Sequence, residues 1–412
     1  MVYDLFKHKT FRVFLCYYFF SAIGSAMFFM FVLLSVHLLY ENPIYTGIAA
    51  FLMAAPRIVS ITVGPIIDRR NKVTIMRLTT FLEFLVLSLL AFTPLLDNLG
   101  AILMFTIIFV YSTAALFENP ASTAFLPQII PEEKILEANS LLEIVSMLGG
   151  IAIGSVLYIS LGGEVDFRFL FGISAVFLAI TFLTSLFIKN PATEENKKKA
   201  ASPKYMTDLK EGIEFIRHNI LLYITIAIVA MDLASEISYV NRPMFLATHV
   251  GPQGYILFTL MGLVGGVIGS GLAGKLGNQF KLGQFIFVLF ICAGVVRVIF
   301  AFVVPLHLIG GLITIVFYLA LMEIVDVIFT SLNQKIPPKD MVGRVNAIST
   351  TCVALAVMIG ALLGGFLGSV VPAVEYIFMF QGINYVIIGL FILLVPSIRR
   401  LPKMNEIKKL EE

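Results

Sequence analysis

The chain has 412 residues, 59% of them apolar and only 13% charged, with a mean hydropathy of +0.95. A water-soluble fold carries about 25% charged residues and, at this length, usually divides into domains with polar exteriors, so the composition excludes water as the main solvent and makes lipid the expected exterior. The net charge of +3 is too small to point to nucleic acid, and what matters is where the charges fall.

Lys7, Lys9 and Arg12 precede an apolar run from Phe14 to about Leu39, longer than the 7–15 residues of a signal-peptide core. It reads as a retained first helix. A helix crosses the ~30 Å hydrocarbon layer with about 20 apolar residues, and twelve runs meet that requirement. They are expected at 11–38, 44–67, 76–96, 100–119, 139–161 and 167–188, then 219–247, 254–276, 282–304, 306–330, 341–370 and 374–397. The fold class this implies is an all-α membrane protein of twelve transmembrane helices in two six-helix pseudo-repeats. Its expected divisions are a bundle at 1–188, a linker at 189–218 and a second bundle with a short tail at 219–412.

Along the first span, Tyr17, Ser21, Ser25 and Phe28 recur at helical spacing, a stripe suited to an amphipathic solute or to plain packing. Arg57 falls near the middle of the second span, where a permanent cation could hold an acid ionised or meet an anionic solute. Glu83, Arg297 and Glu143 fit packing or gating. The linker contains Glu194-Glu195-Asn196-Lys197-Lys198-Lys199. From Tyr205 to His218 it places Met206, Leu209, Ile213 and Ile216 opposite Lys210, Glu211, Glu214 and Arg217, the pattern of an interfacial surface helix. On the seventh span Asp232 and Glu236 share a face with Ser235 and Tyr239. Glu323 and Asp326 lie three apart on the tenth. Ions inside a bilayer cost at least about 2.5–3.5 kcal/mol on insertion scales, so each needs a partner, a wet cavity or a function. From the expected helix ends, Asp232 lies roughly 20 Å and Glu323 roughly 10 Å from the inner surface, a stagger in depth.

Gly269, Gly274 and Lys275 match the outline of a phosphate loop, but Leu276 replaces the required Ser or Thr and a helix precedes it where a strand belongs. Close helix approach suits these glycines better, as it does Gly360, Gly364 and Gly368. Cys16, Cys292 and Cys352 lie far apart with no second ligand type beside them, and the five histidines form no HExxH. Neither a metal, a cofactor nor an enzyme is expected.

Gln128-Ile129-Ile130-Pro131 returns 206 positions later as Gln334-Lys335-Ile336-Pro337, an offset of half the chain, as duplication of a six-helix unit would produce. With the N-terminus inside, 25 of the 29 basic residues fall on the inner side. The positive-inside rule therefore places both termini and the linker in the cytoplasm.

After the second run the chain reads Gly64-Pro65-Ile66-Ile67-Asp68-Arg69-Arg70-Asn71-Lys72 and closes with Arg77. This resembles the signature loop between the second and third helices of the major facilitator superfamily, with Asn71 where glycine is usual; Asn tolerates the left-handed backbone that glycine would supply. The resemblance implies a conformational gate at Gly64, Asp68, Arg69 and Arg77, with Glu118 as a structural partner of Arg77. The segment Glu118 to Pro131 with Ala138-Asn139-Ser140, and the run Asp208 to Arg217, are similar to the branch that exports enterobactin or macrolides. In the family resembled, spans one, four, seven and ten line a central cavity. That implies a proton or substrate site among Asp232, Glu236, Glu323 and Asp326, with Arg57, Tyr17 and Ser21 as further candidates. Glu323-Ile324-Val325 is similar to the tenth-helix acid of several multidrug antiporters, although Glu323 could instead pair with Lys335 or Arg344. The function implied is proton-coupled export of an amphipathic drug, macrolide or siderophore by a monomer in a bacterial inner membrane. An uptake carrier or facilitator and a non-transporting receptor are the alternatives.

Overall fold

In the computed structural model, residues 6–59, 70–93, 98–131, 166–189, 205–338 and 341–407 are described, together with isolated positions between them. The described residues are almost wholly helical. The first span is Lys9–Tyr40, the start of the second is Pro43–Ala54 continuing as a 3₁₀ turn at Ala55–Val59, the third is Lys72–Phe92, the fourth Asn98–Phe125 and the sixth Phe167–Leu186. The expected fifth span lies mostly outside the described residues. Leu221–Gln279 carries the seventh and eighth spans with a break at Gly251. Leu282–Val303, Leu308–Lys335, Val342–Val370 and Glu375–Leu394 complete the set.

The third span begins four residues earlier than expected because Asn71 stops the preceding chain and caps it. Its side chain accepts from the Thr74 amide at 3.2 Å with φ at −68°, which satisfies one of the unpaired first-turn amides. Asn71 therefore stands at its position for capping, and the left-handed conformation expected of it is not used. Asp166 caps the sixth span from the Arg168 amide at 2.9 Å. It also accepts from the Arg168 guanidinium at 2.6 Å, which holds its carboxyl below the usual carboxylate range.

The chain forms two compact units, residues 1–41 with 48–201 and residues 42–47 with 202–412. In the first, the sixth span packs on the first and third, and the third on the fourth. In the second, the twelfth packs on the seventh and ninth, and the ninth on the tenth. Each pairing in one unit recurs in the other six spans later, as a duplicated sequence requires. The fourth and tenth spans are both 28 residues long, with the repeated Gln-x-Ile-Pro segments at their C-terminal ends.

Each unit has its own apolar interior. In the first, Phe11, Phe14, Tyr17, Met76, Phe125 and Leu126 cluster with essentially no exposure. Outward-facing positions are also apolar, with Leu78, Phe92, Phe187, Leu306 and Leu394 more than half exposed. Apolar surface both inside and out is the arrangement of helices solvated by hydrocarbon.

Close approach of helices depends on small residues. Gly360 and Gly364 on the eleventh span rest against Leu233, Glu236 and Ile237 of the seventh. Gly269 on the eighth rests on Ala320 and Glu323 of the tenth, whereas Gly274 faces open space. The packing role expected for the eighth-span glycines therefore holds at Gly269 and not at Gly274.

The linker helix is Tyr205–Arg217. It docks on the eleventh span through an ion pair between Glu211 and Arg344 at 2.6 Å, with Gly212 against Ile348 and Arg344. Ile216 is buried while Ile213 is half exposed, so Gly212 and Ile216 belong to the seated face; the side chains of Met206 and Leu209 lie outside the described residues.

Candidate functional site

Wholly within the second unit lies a cavity of about 370 Å³, bounded by the seventh, eighth, ninth, tenth and twelfth spans. Helical spacing delivers Asp232, Ser235, Glu236, Tyr239 and Arg242 to it from one face of the seventh. Tyr318, Met322, Glu323 and Asp326 arrive from the tenth. All four acids singled out in the sequence thus meet around one cavity. Ser270 of the eighth span donates to Glu323 at 2.8 Å. Lys335 instead donates to the Met404 carbonyl and Arg344 pairs with Glu211, so Glu323 is spoken for by neither.

The expected stagger in depth narrows. The seventh span begins at Leu221 and the tenth ends at Lys335, eleven and twelve residues from Asp232 and Glu323. At 1.5 Å per residue the two acids lie about 16 Å and about 18 Å from the helix ends on the same side. The tenth span runs a full turn further than its hydropathy suggested, and that moves Glu323 deeper.

The other end of the cavity is basic and aromatic. Arg297, 4% exposed, comes from the ninth span, and its Nε donates to Gln381 Oε1 at 2.6 Å. Its guanidinium lies 4.6–4.7 Å from the ring centroids of Phe300, Tyr318 and Phe378. Gln381 Nε2 donates to Tyr318 OH at 2.9 Å and to Tyr385 OH at 2.8 Å. Ser235 donates to the Met231 carbonyl at 2.7 Å, so in its 2.6 Å contact with Tyr385 it accepts. Tyr318 then donates to Tyr385 at 2.9 Å. Proton counting thereby fixes every orientation in the chain from Arg297 to Ser235. Arg242 donates to Thr259 at 2.7 Å and lies 5.4 Å from the Tyr255 ring centroid.

The sequence reading assigned Arg297 to packing or gating, and it missed Gln381, Tyr318 and Tyr385 altogether. The signal was present, because Arg297 is the one charged residue of the ninth span and Gln381 is a polar side chain in the interior of the twelfth.

The first-unit candidates have other surroundings. Tyr17 is fully buried and its hydroxyl donates to Glu118 at 2.6 Å. Ser21 is buried as well, and Tyr111 donates to Ser25 at 3.0 Å. Arg77 does not pair with Glu118 as expected. Its guanidinium reaches the carbonyls of Ser185, Leu186 and Ile188 at 3.0–3.2 Å, where the C-terminal end of the sixth span presents unpaired acceptors. Arg57 lies on the 3₁₀ turn and is exposed. Gly64, Asp68, Arg69 and Glu143 lie outside the described residues. Among the described residues no cluster of His, Cys, Asp and Glu could hold a metal ion.

Comparison with known proteins agrees on the class. The model of the Major Facilitator Superfamily matches residues 14–356. The putative bacilysin exporter BacE of Bacillus amyloliquefaciens is 24% identical over 332 residues, covering 77% of this chain and 78% of the relative. Macrolide efflux protein A of Streptococcus pyogenes is 22% identical over 368 residues, covering 85% and 84%. Among solved structures, the nucleoside transporter NupG superposes with a TM-score of 0.73 at 12% identity over 96% of this chain and 100% of its own. The D-xylose-proton symporter gives 0.66 at 14% identity over 97% and 98%.

Proposed function

The chain belongs to the major facilitator superfamily, and on that footing we propose that this multi-pass membrane transporter is a proton-coupled exporter of an amphipathic small molecule. The observation that carries the reading is the convergence of Asp232, Glu236, Glu323 and Asp326 on one aromatic-walled cavity. A carboxyl group in a partly apolar cavity can hold a proton in one state and release it when the cavity opens to water. The cavity size falls within the roughly 300–1,000 Å³ of small-molecule sites. The efflux relatives favour export over uptake, and the distribution of basic residues favours cytoplasmic termini in a bacterial inner membrane. We take the acting unit to be a monomer, and the loop from Gly64 to Arg77 to be its gate.

Direction and coupling are tested together. A strain lacking the protein is screened for hypersensitivity to toxic amphipathic compounds, and the compound found is offered to inverted membrane vesicles under an imposed pH gradient. The wild type should accumulate it, while Asp232→Asn and Glu323→Gln should only equilibrate it. Accumulation by both variants at the wild-type level would remove these acids from the coupling. Accumulation in right-side-out vesicles instead would make the protein an importer.

A further inference from the structure

The cavity has two ends of opposite sign. At one, Arg297 is buried with a single hydrogen bond from its guanidinium among the described residues, the one from Nε to Gln381. Its Nη1 is enclosed without an acceptor, as is Nε of Arg242 on the same wall. No carboxylate forms an ion pair with either arginine among the described residues, and the two cations act on each other electrostatically. The neighbouring polar groups do not accept from Nη1 of Arg297. The Gln381 oxygen takes its bond from Nε, and the hydroxyls of Tyr318 and Tyr385 bond with Gln381, with each other and with Ser235, none of them with Nη1. The three rings around the guanidinium offer their faces, which attract a cation without accepting its N–H groups as an anion would. A buried cation is tolerated when something of opposite charge meets it.

At the other end stand Asp232, Glu323 and Asp326. The fourth acid, Glu236, lines the cavity one residue past Ser235, on the side where its Cβ meets Gly360 of the eleventh span, and forms no ion pair with Arg297. Ser235 bonds to Tyr385 and so marks the level of the basic end on the seventh span; Asp232 is three residues, roughly 5 Å, further along. On the tenth span, Asp326 is eight residues, roughly 12 Å, beyond Tyr318. A wholly anionic solute filling this cavity would face the acids, and a wholly cationic one would face the arginines. A neutral one would leave the guanidinium unmatched.

We infer that the solute is a zwitterionic amphipath whose carboxylate docks on Arg297 and whose cationic nitrogen, several bonds away, faces Asp232 and Asp326. The inference rests on reading the cavity as the substrate site. It is independent of whether protons drive transport, and its test is a binding equilibrium with no gradient.

The chain contains no tryptophan, so an indole-bearing ligand can be excited apart from the protein. Fluorescence anisotropy of alanyl-tryptophan is titrated with the purified full-length protein in detergent, alongside its methyl ester, which lacks the anion, and its N-acetyl form, which lacks the cation. The zwitterion should bind about tenfold or more tighter than either derivative. Arg297→Gln should bind dipeptide and ester alike. Arg297→Lys should keep the preference at reduced affinity, with a wild-type elution profile showing that the variants are folded. Equal binding of dipeptide and ester by the wild type would overturn the inference. So would failure of the whole series to bind, or a full preference retained by Arg297→Gln. Loss of gradient-driven accumulation with the preference intact would instead count against proton coupling alone.

Discussion

Gly382→Ala probes how the backbone builds the basic end of the cavity. A Cβ at position 382 would sit 2.6 Å from the Gly294 carbonyl oxygen and 3.1 Å from the Val298 amide. Both are backbone atoms of the ninth span and cannot swing aside. Restoring ordinary contact at about 3.4 Å requires the ninth and twelfth spans to part by about 0.8 Å locally, and overpacking of this kind costs about 1–3 kcal/mol. Gln381 is the adjacent residue and Arg297 lies one turn from Gly294, so the same displacement stretches their 2.6 Å hydrogen bond toward 3.4 Å, outside the useful range. Losing a bond to a charged group adds about 1.5–3 kcal/mol. Gly294→Ala presses on the same interface, with its Cβ 2.5 Å from the Gly382 carbonyl oxygen. Once one methyl group has separated the helices the second fits at little further cost, so the double variant should lose clearly less than the sum of the singles. The assay is thermal unfolding in detergent with alanyl-tryptophan binding measured in parallel. An unchanged unfolding temperature for Gly382→Ala, or strict additivity in the double variant, would refute the reasoning.

Tyr17→Phe removes the 2.6 Å donor to buried Glu118 and should cost about 1–3 kcal/mol, seen as a lowered thermal midpoint; no change would mean the carboxyl finds another partner. Asn71→Ala should cost about 1 kcal/mol and Asn71→Gly only a few tenths, the order expected of a cap and the reverse of what surface helix propensity alone would produce. Arg77→Lys should not replace arginine, because one ammonium cannot meet three carbonyls in the fork geometry observed; limited proteolysis near Ile188 should quicken in both Arg77→Lys and Arg77→Gln. A cysteine introduced as Lys198→Cys should react with an impermeant maleimide only after permeabilisation, and labelling of intact cells would reverse the proposed topology.

Much of the architecture was readable because hydrocarbon imposes a length on apolar runs, and polar segments or a proline, as at Pro305 and Pro372, separate one run from the next. Helix ends were less readable. The tenth span was expected to stop near residue 330, but Ser331, Asn333 and Gln334 continue the helix although they lower hydropathy, and Glu323 is deeper as a result. The acids of the seventh and tenth spans were legible because an ion in a membrane helix is costly wherever it sits. Arg297 was visible for the same reason, yet its role was not, since its partners come from spans nine, ten and twelve and only tertiary packing brings them together. The pairing of Arg77 with Glu118, which the family resemblance implied, does not form, because the carbonyls at the end of the sixth span take the guanidinium instead.

Gly251 is the single non-helical residue between the seventh and eighth spans, with φ at 77°, a conformation open to glycine and awkward for the residue before Pro252. A connection one residue long contains no slack. The joint keeps the adjoining ends of the two spans together, while glycine leaves the angle between them free to change. It is thus a swivel between the span that carries Asp232 and the span whose hydroxyl holds Glu323, short enough to tether the two and loose enough to let them tilt.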